Sequence, residues 1–275
     1  MIINSEVFDY YLENQNIDKY EDYWLFKYLS GLSGEMNVFK KPSYSPEDIQ
    51  TMARISKEIQ IQVKDFKPNN IEIWNILFPK WMEAISDVTV YFIVGLPEGY
   101  DALALRDESE NSIVVYDIGN WLIYKSMNIS DVANNLLTHE LCHVCIHSVF
   151  PDIKKIYMSG TYTECLNAIA FNEGFAHLLA FENKNIDSVD WKSEKYNKLY
   201  NSSLETMKEA LLEEDIDKQK QYIQGSMSGS YYGKFGAMLG MLYLANIWLE
   251  HGNIGIKKVF YEGYSSFASK VINET

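Results

Sequence analysis

The residues best suited to chemistry form one run, His139-Glu140-Leu141-Cys142-His143, an H-E-x-x-H pattern. On a helix, two imidazoles four positions apart lie on one face and can direct two nitrogens at one metal ion. Glu140 falls about 100° round the helix from His139. It need not be a ligand, and can instead hold a metal-bound water and take its proton as general base. The chain has only 5 histidines, and His139, His143 and His147 all fall in this stretch. A helix carrying two histidines by accident would rarely draw them from so small a pool. His147 lies one turn beyond His143 and would reach the same ion only if the helix deformed, so it is expected at the surface or as a supporting group.

A catalytic zinc usually has three protein ligands and one position left for water. The third ligand is expected on the next apolar helical stretch, where Glu164 and Glu173 are the candidates. Their separation is about half a helical circumference, so only one can face the ion. Leu166, Ile169, Ala170, Glu173, His177 and Ala180 share a face, which sets Glu173 in an apolar stripe. A buried carboxylate requires a cation, and Gly174 beside it permits close approach of a second helix. Glu173 is therefore the expected ligand. His177, one turn later, can hydrogen-bond the ligand carboxylate or simply pack. Hydrolysis also needs a donor for the oxyanion. Tyr231 and Tyr232, at the head of the last long helix, are placed for it, with Tyr232 the expected donor and core packing the competing role.

The segment Asn172-Glu173-Gly174-Phe175-Ala176, following H-E-x-x-H, resembles the third-ligand segment of gluzincin metallopeptidases. The likeness is to the aminopeptidase-N-like and thermolysin-like branches and to related predicted bacterial zinc proteases. It runs from the strand near residue 113 to the helix ending near residue 182. It implies a zincin-like fold, Zn2+ held by His139, His143 and Glu173, and Glu140 as general base. The connection between the two motifs is longer than usual in those families. The aminopeptidase Gly-x-Met-Glu-Asn segment is absent upstream, and His177 stands where thermolysin-like enzymes carry Asp. Val149 and Ile146 depart from the metzincin pattern, which needs a later His beyond a Gly.

Elements must hold these residues in place. Ser130 can cap the H-E-x-x-H helix, with Asp131 in its first turn, and Val132, Leu136, Leu137, Leu141 and Val144 recur at helical spacing. Upstream, residues 88–94, 101–106 and 111–120 read as strands. The last of these is either an edge for an extended peptide or an ordinary interior strand. Helices are expected over 5–31, broken near Gly31 and Gly34, over 46–65 behind a Ser45 cap, and over 71–86. Further helices cover 162–182, 191–224 (one helix or two), 231–250 with Gly252 as the stop, and 256–271 (a short final helix or two). Gly225 to Ser230 reads as a flexible stretch. The spacing of Gly233, Gly236 or Ala237, and Gly240 marks a small-residue stripe against which another helix can lie close, the H-E-x-x-H helix being the natural candidate.

Composition bounds the rest. With 275 residues and 47 % hydrophobic content the chain can build a large core. A net charge of −14 repels phosphate backbones and anionic surfaces, which argues against nucleic acid as a partner. The first ten residues lack a basic region followed by an apolar run, and the longest apolar stretch is interrupted by Gly236, Gly240 and Asn246. Together with 3 cysteines this favours a cytoplasmic protein with reduced thiols and no membrane insertion. Cys142 and Cys145, inside the helix, are expected to be buried apolar residues.

The expected fold is α+β and zincin-like, predominantly helical, with a small mostly antiparallel sheet next to the H-E-x-x-H helix. It reads as a single domain over 1–275: a helical portion (1–86), the sheet and metal-binding helices (87–183), and a second helical portion (184–275). The expected activity is zinc-dependent hydrolysis of a peptide bond in a peptide or protein substrate. The rival is a protein of the same fold whose metal is structural or regulatory and which binds a partner. A fourth protein ligand, His147 or Cys142, would then close the site.

Overall fold

β-branched and aromatic residues make strands near the middle of the chain, and apolar residues at helical spacing make helices of most of the rest. The computed structural model describes residues 1–33, 38–107 and 109–274. In chain order the elements are β1 (Ile2–Asn4), α1 (Glu6–Asn14), α2 (Trp24–Ser33), α3 (Pro46–Lys64), α4 (Ile71–Leu77), α5 (Trp81–Ala84), β2 (Thr89–Ile93), β3 (Ala102–Arg106) and β4 (Ser112–Asp117). There follow α6 (Ile129–Val149), α7 (Ile153–Ser159), α8 (Tyr162–Ala180), α9 (Glu194–Leu212), α10 (Ile216–Met227), α11 (Phe235–Glu262) and α12 (Phe267–Glu274). The architecture is α+β and mostly helical. The chain forms two compact units, residues 1–67 with 82–141, and residues 68–81 with 142–275. The division falls inside α6, which is helical throughout.

The first unit is built on a four-stranded sheet of order β1-β2-β4-β3. β1 and β2 are parallel, β2 and β4 are parallel (Thr89 opposite Ile113), and only β3 and β4 are antiparallel (Ala102 opposite Tyr116). The sheet is thus mixed rather than mostly antiparallel. β3 pairs antiparallel with β4, and β4 runs alongside β2 in the same direction. β1 is only 3 residues long, too short to betray itself by alternation. β4 lies between two partners and is an interior strand, with Ile113, Val114, Val115 and Tyr116 all buried. No edge is available there. At its end the buried Asp117 accepts the N–H groups of Leu96 (2.6 Å) and Asn120 (3.0 Å), which ties the turn after β2 to the turn after β4. Burial pushes its carboxyl up to about 7 against these backbone donors.

The N-terminal helix expected over 5–31 is two helices. α1 ends at Gln15 in a left-handed conformation (φ 55°), and a 3-10 turn over Asp18–Tyr20 precedes α2. Gly31 lies inside α2, not at its end, and Gly34 lies outside the described residues. The Ser45 cap is present, its side chain accepting from the Asp48 N–H. The 71–86 stretch likewise divides into α4 and α5 around Phe78-Pro79, because proline disfavours helix in the residue before it.

In the second unit α8 is the central element, with nearly every residue from Leu166 to Ala180 buried. α11 crosses it at a point where neither helix has a side chain. A Cβ on Gly240 would lie 2.0 Å from the Ala170 carbonyl oxygen, and one on Gly174 would lie 2.8 Å from the Gly240 backbone. Past the Gly252 bend α11 meets α8 again, where Phe171, Phe175 and Phe260 pack together, with Phe150 on Phe171 and Phe260. Asn167 Oδ1 accepts the Ala268 N–H (2.8 Å) and so holds α12 on α8. Asn70 donates to the Leu179 carbonyl (2.9 Å) and accepts the Ile186 N–H (2.8 Å), which anchors residues 68–81 to the end of α8. α11 bends at Gly252 (φ 51°). Gly225 to Met227 belong to α10 rather than to a loose stretch, because Ser226 packs against Gly236, where a Cβ would come within 2.9 Å of it. Among the described residues no helix is long and apolar enough to cross a membrane.

Candidate metal centre

The H-E-x-x-H run lies in the middle of α6. The helix begins two residues earlier than a Ser130 cap would set it. Asn128 Oδ1 accepts the Ser130 N–H (3.1 Å) and does the capping. Leu137, Leu141, Cys142, Val144, Cys145 and Ile146 are buried and fix the rotation of the helix. That rotation leaves His139 half-buried and His143 only 8 % exposed. Glu140 is buried too, and its charge adds to burial, the larger cause, in pushing the buried Tyr116 hydroxyl well up. Burial also pushes the Cys142 and Cys145 thiols up, so both stay protonated apolar residues.

α8 starts with a capping box that consumes one candidate. The Glu164 carboxylate accepts from the Thr161 N–H (2.7 Å) and hydroxyl (2.8 Å), and these bonds lower its pKa. Glu173, 9 residues on, faces the histidines. Its Oε1 lies 3.5 Å from His143 Nε2 and its Oε2 lies 3.4 Å from His177 Nδ1. His139, Glu173 and His177 each offer one ligand atom, and these atoms lie within 4.8 Å of one another. Imidazole nitrogens and a carboxylate oxygen are the donors that zinc takes, so this His-Glu-His cluster could hold a metal ion.

Two further groups orient these side chains. Asn172 Oδ1 lies 3.1 Å from His143 Nδ1, which leaves Nε2 toward Glu173. Asn172 in turn donates from Nδ2 to the Tyr157 hydroxyl (3.0 Å). His177 donates from Nδ1 to the Glu173 backbone carbonyl (3.0 Å) and lies against the Tyr231 ring, centroids 5.3 Å apart. Burial, the largest cause, brings its pKa down to about 4, so it is neutral at physiological pH. Tyr232 is not drawn into this cluster. Its hydroxyl donates to Glu182 Oε1 (2.9 Å) and accepts from Lys195 Nζ (3.0 Å).

Sequence reasoning named His139, His143, Glu140 and Glu173 in this region, and weighed His177 only as a partner of the carboxylate. The signal for its place in the cluster was there, since residues 173 and 177 are one helical turn apart on the same face. Tyr157 gave no signal, because it reaches Asn172 from a different helix. Residues 44–247 match a family described as "Putative zinc dependent peptidase" (DUF5700). No curated protein and no solved structure matches the chain.

Proposed function

This chain belongs to the DUF5700 family, and on that premise we propose that it is a zinc-dependent peptidase of gluzincin type. His139, His143 and Glu173 are the ligands and Glu140 is the general base. The observation that carries the reading is the 3.5 Å approach of Glu173 Oε1 to His143 Nε2, with the other ring nitrogen of His143 held by Asn172. The donor types suit zinc: two imidazoles from successive turns of one helix and a nearly buried carboxylate from another. Bound zinc would lower the pKa of a water toward neutrality and polarise the scissile carbonyl.

The protein's own groups do the remainder. Glu140 takes the proton of the attacking water and delivers it to the leaving amine. Asn172 fixes the ring of His143, and His177 restrains the Glu173 carboxylate through Nδ1. For Tyr232 to donate to an oxyanion it must leave Glu182 and Lys195. Tyr232→Phe decides the point, since loss of an oxyanion donor costs about 10²-fold or more in kcat.

The reading is tested by metal analysis of the purified protein followed by digestion of a peptide library with and without a chelator. One zinc per chain and chelator-sensitive cleavage are expected. A metal-free protein that cannot be loaded with zinc, or cleavage indifferent to chelation, would overturn it.

A further inference from the structure

Tyr157 belongs to α7, in the connection between α6 and α8, and is 38 % exposed. Its hydroxyl end reaches inward, 3.4 Å from the buried Ala168 carbonyl and 3.0 Å from Nδ2 of the buried Asn172. A phenol has one proton to give, and a carbonyl can only accept. The proton therefore goes to Ala168, and the phenol oxygen accepts from Asn172. This fixes the Asn172 amide with Nδ2 toward Tyr157 and Oδ1 toward His143 Nδ1 (3.1 Å). An amide oxygen also only accepts, so His143 must carry its proton on Nδ1 and keep the lone pair on Nε2.

We infer that Tyr157 is a positioning residue for the metal centre: through Asn172 it selects the His143 tautomer whose Nε2 can bind a cation. The selection has something to oppose. Before metal binds, the Glu173 carboxylate 3.5 Å from Nε2 favours a proton on that nitrogen, which is the tautomer that cannot ligate. Without the hydroxyl, Asn172 can turn over, accept nothing from His143, and let the ring follow Glu173. Burial first, and the charge of Glu173 second, raise the pKa of the Tyr157 hydroxyl, so it stays protonated.

The inference rests on His143 being a ligand, and its test is chosen to separate the two ideas. Nitrogen-15 NMR of the metal-free protein at alkaline pH reports the tautomer of the neutral ring. The wild type should show Nδ1–H, and Tyr157→Phe, which keeps the ring, should shift His143 toward Nε2–H. Zinc affinity, measured by chelator competition, should fall about tenfold in Tyr157→Phe. Asn172→Asp presents an accepting oxygen at either end, so in that background Tyr157→Phe should cost less than about twofold. Asn172→Asp alone should retain Nδ1–H, which gives a readout even if Tyr157→Phe fails to fold. An unchanged tautomer in Tyr157→Phe, an Nε2–H ring in Asn172→Asp, or an equal loss of affinity in both backgrounds would overturn the role. A wild-type protein that binds no zinc would instead sink the peptidase reading, while the tautomer still decides Tyr157.

Discussion

At the scale of single residues, the glutamates of this protein divide by what their carboxylates touch. Glu164 is held by Thr161, and Glu173 faces His143 and His177. Glu173→Ala is expected to lower zinc affinity by two orders of magnitude or more, because it deletes a direct ligand. Glu164→Ala is expected to leave zinc affinity unchanged and to lower thermal stability through loss of the capping box. An equal effect of the two on zinc titrations would break this assignment. Glu140→Gln should retain zinc and fold yet lose hydrolysis by about 10²–10⁴-fold, since an amide takes up no proton at neutral pH. His177→Ala should weaken zinc by about 10–100-fold if the ring only restrains Glu173, whereas His143→Ala should abolish stoichiometric binding. The reverse order in a chelator competition would mean that His177, not His143, completes the ligand set.

At the scale of elements, legibility followed the length of the interactions. α6 and α8 could be read from the sequence because their apolar spacing is local, whereas the Thr161–Glu164 box that starts α8 was not singled out. The interior position of β4 could not, because it depends on pairing with β2 and β3, and three-residue β1 carries no pattern of its own. The glycine stripe announced a close helix crossing. Its details needed coordinates: Gly240 meets α8 at Ala170 and Gly174, while Gly236 meets Ser226 on α10. Gly240→Ala must push against backbone on α8 and is expected to cost about 1–3 kcal/mol despite the better helix propensity of alanine. Gly31, inside α2 with no heavy atom of the described residues within 4 Å of where a Cβ would lie, is the contrasting case. Gly31→Ala should stabilise by about 0.5–1 kcal/mol. Chemical denaturation of the two variants checks both signs, and a Gly240→Ala protein as stable as the wild type would show that the crossing can slide apart at no cost.

At the scale of the whole chain, the net charge of −14 sets the electrostatic background in which a centre with a nearly buried carboxylate must form. A divalent cation bound there relieves repulsion as well as filling the ligand set, so folding and metal binding are linked. Zinc at a hundredfold excess over its dissociation constant should add about 2.7 kcal/mol of stability. For a chain of this size that corresponds to a rise in Tm of roughly 5–10 °C. Stripping the metal with a chelator should remove the increment, and restoring zinc should return it. His139→Ala and Glu173→Ala should abolish the response to zinc, while Tyr232→Phe should keep it, because its hydroxyl is bound to Glu182 and Lys195. Acid should weaken the response, since imidazole must lose its proton to ligate. Thermal scans with and without zinc on these four proteins decide the matter: a zinc-induced rise that survives in Glu173→Ala would place the stabilising ion elsewhere on the molecule.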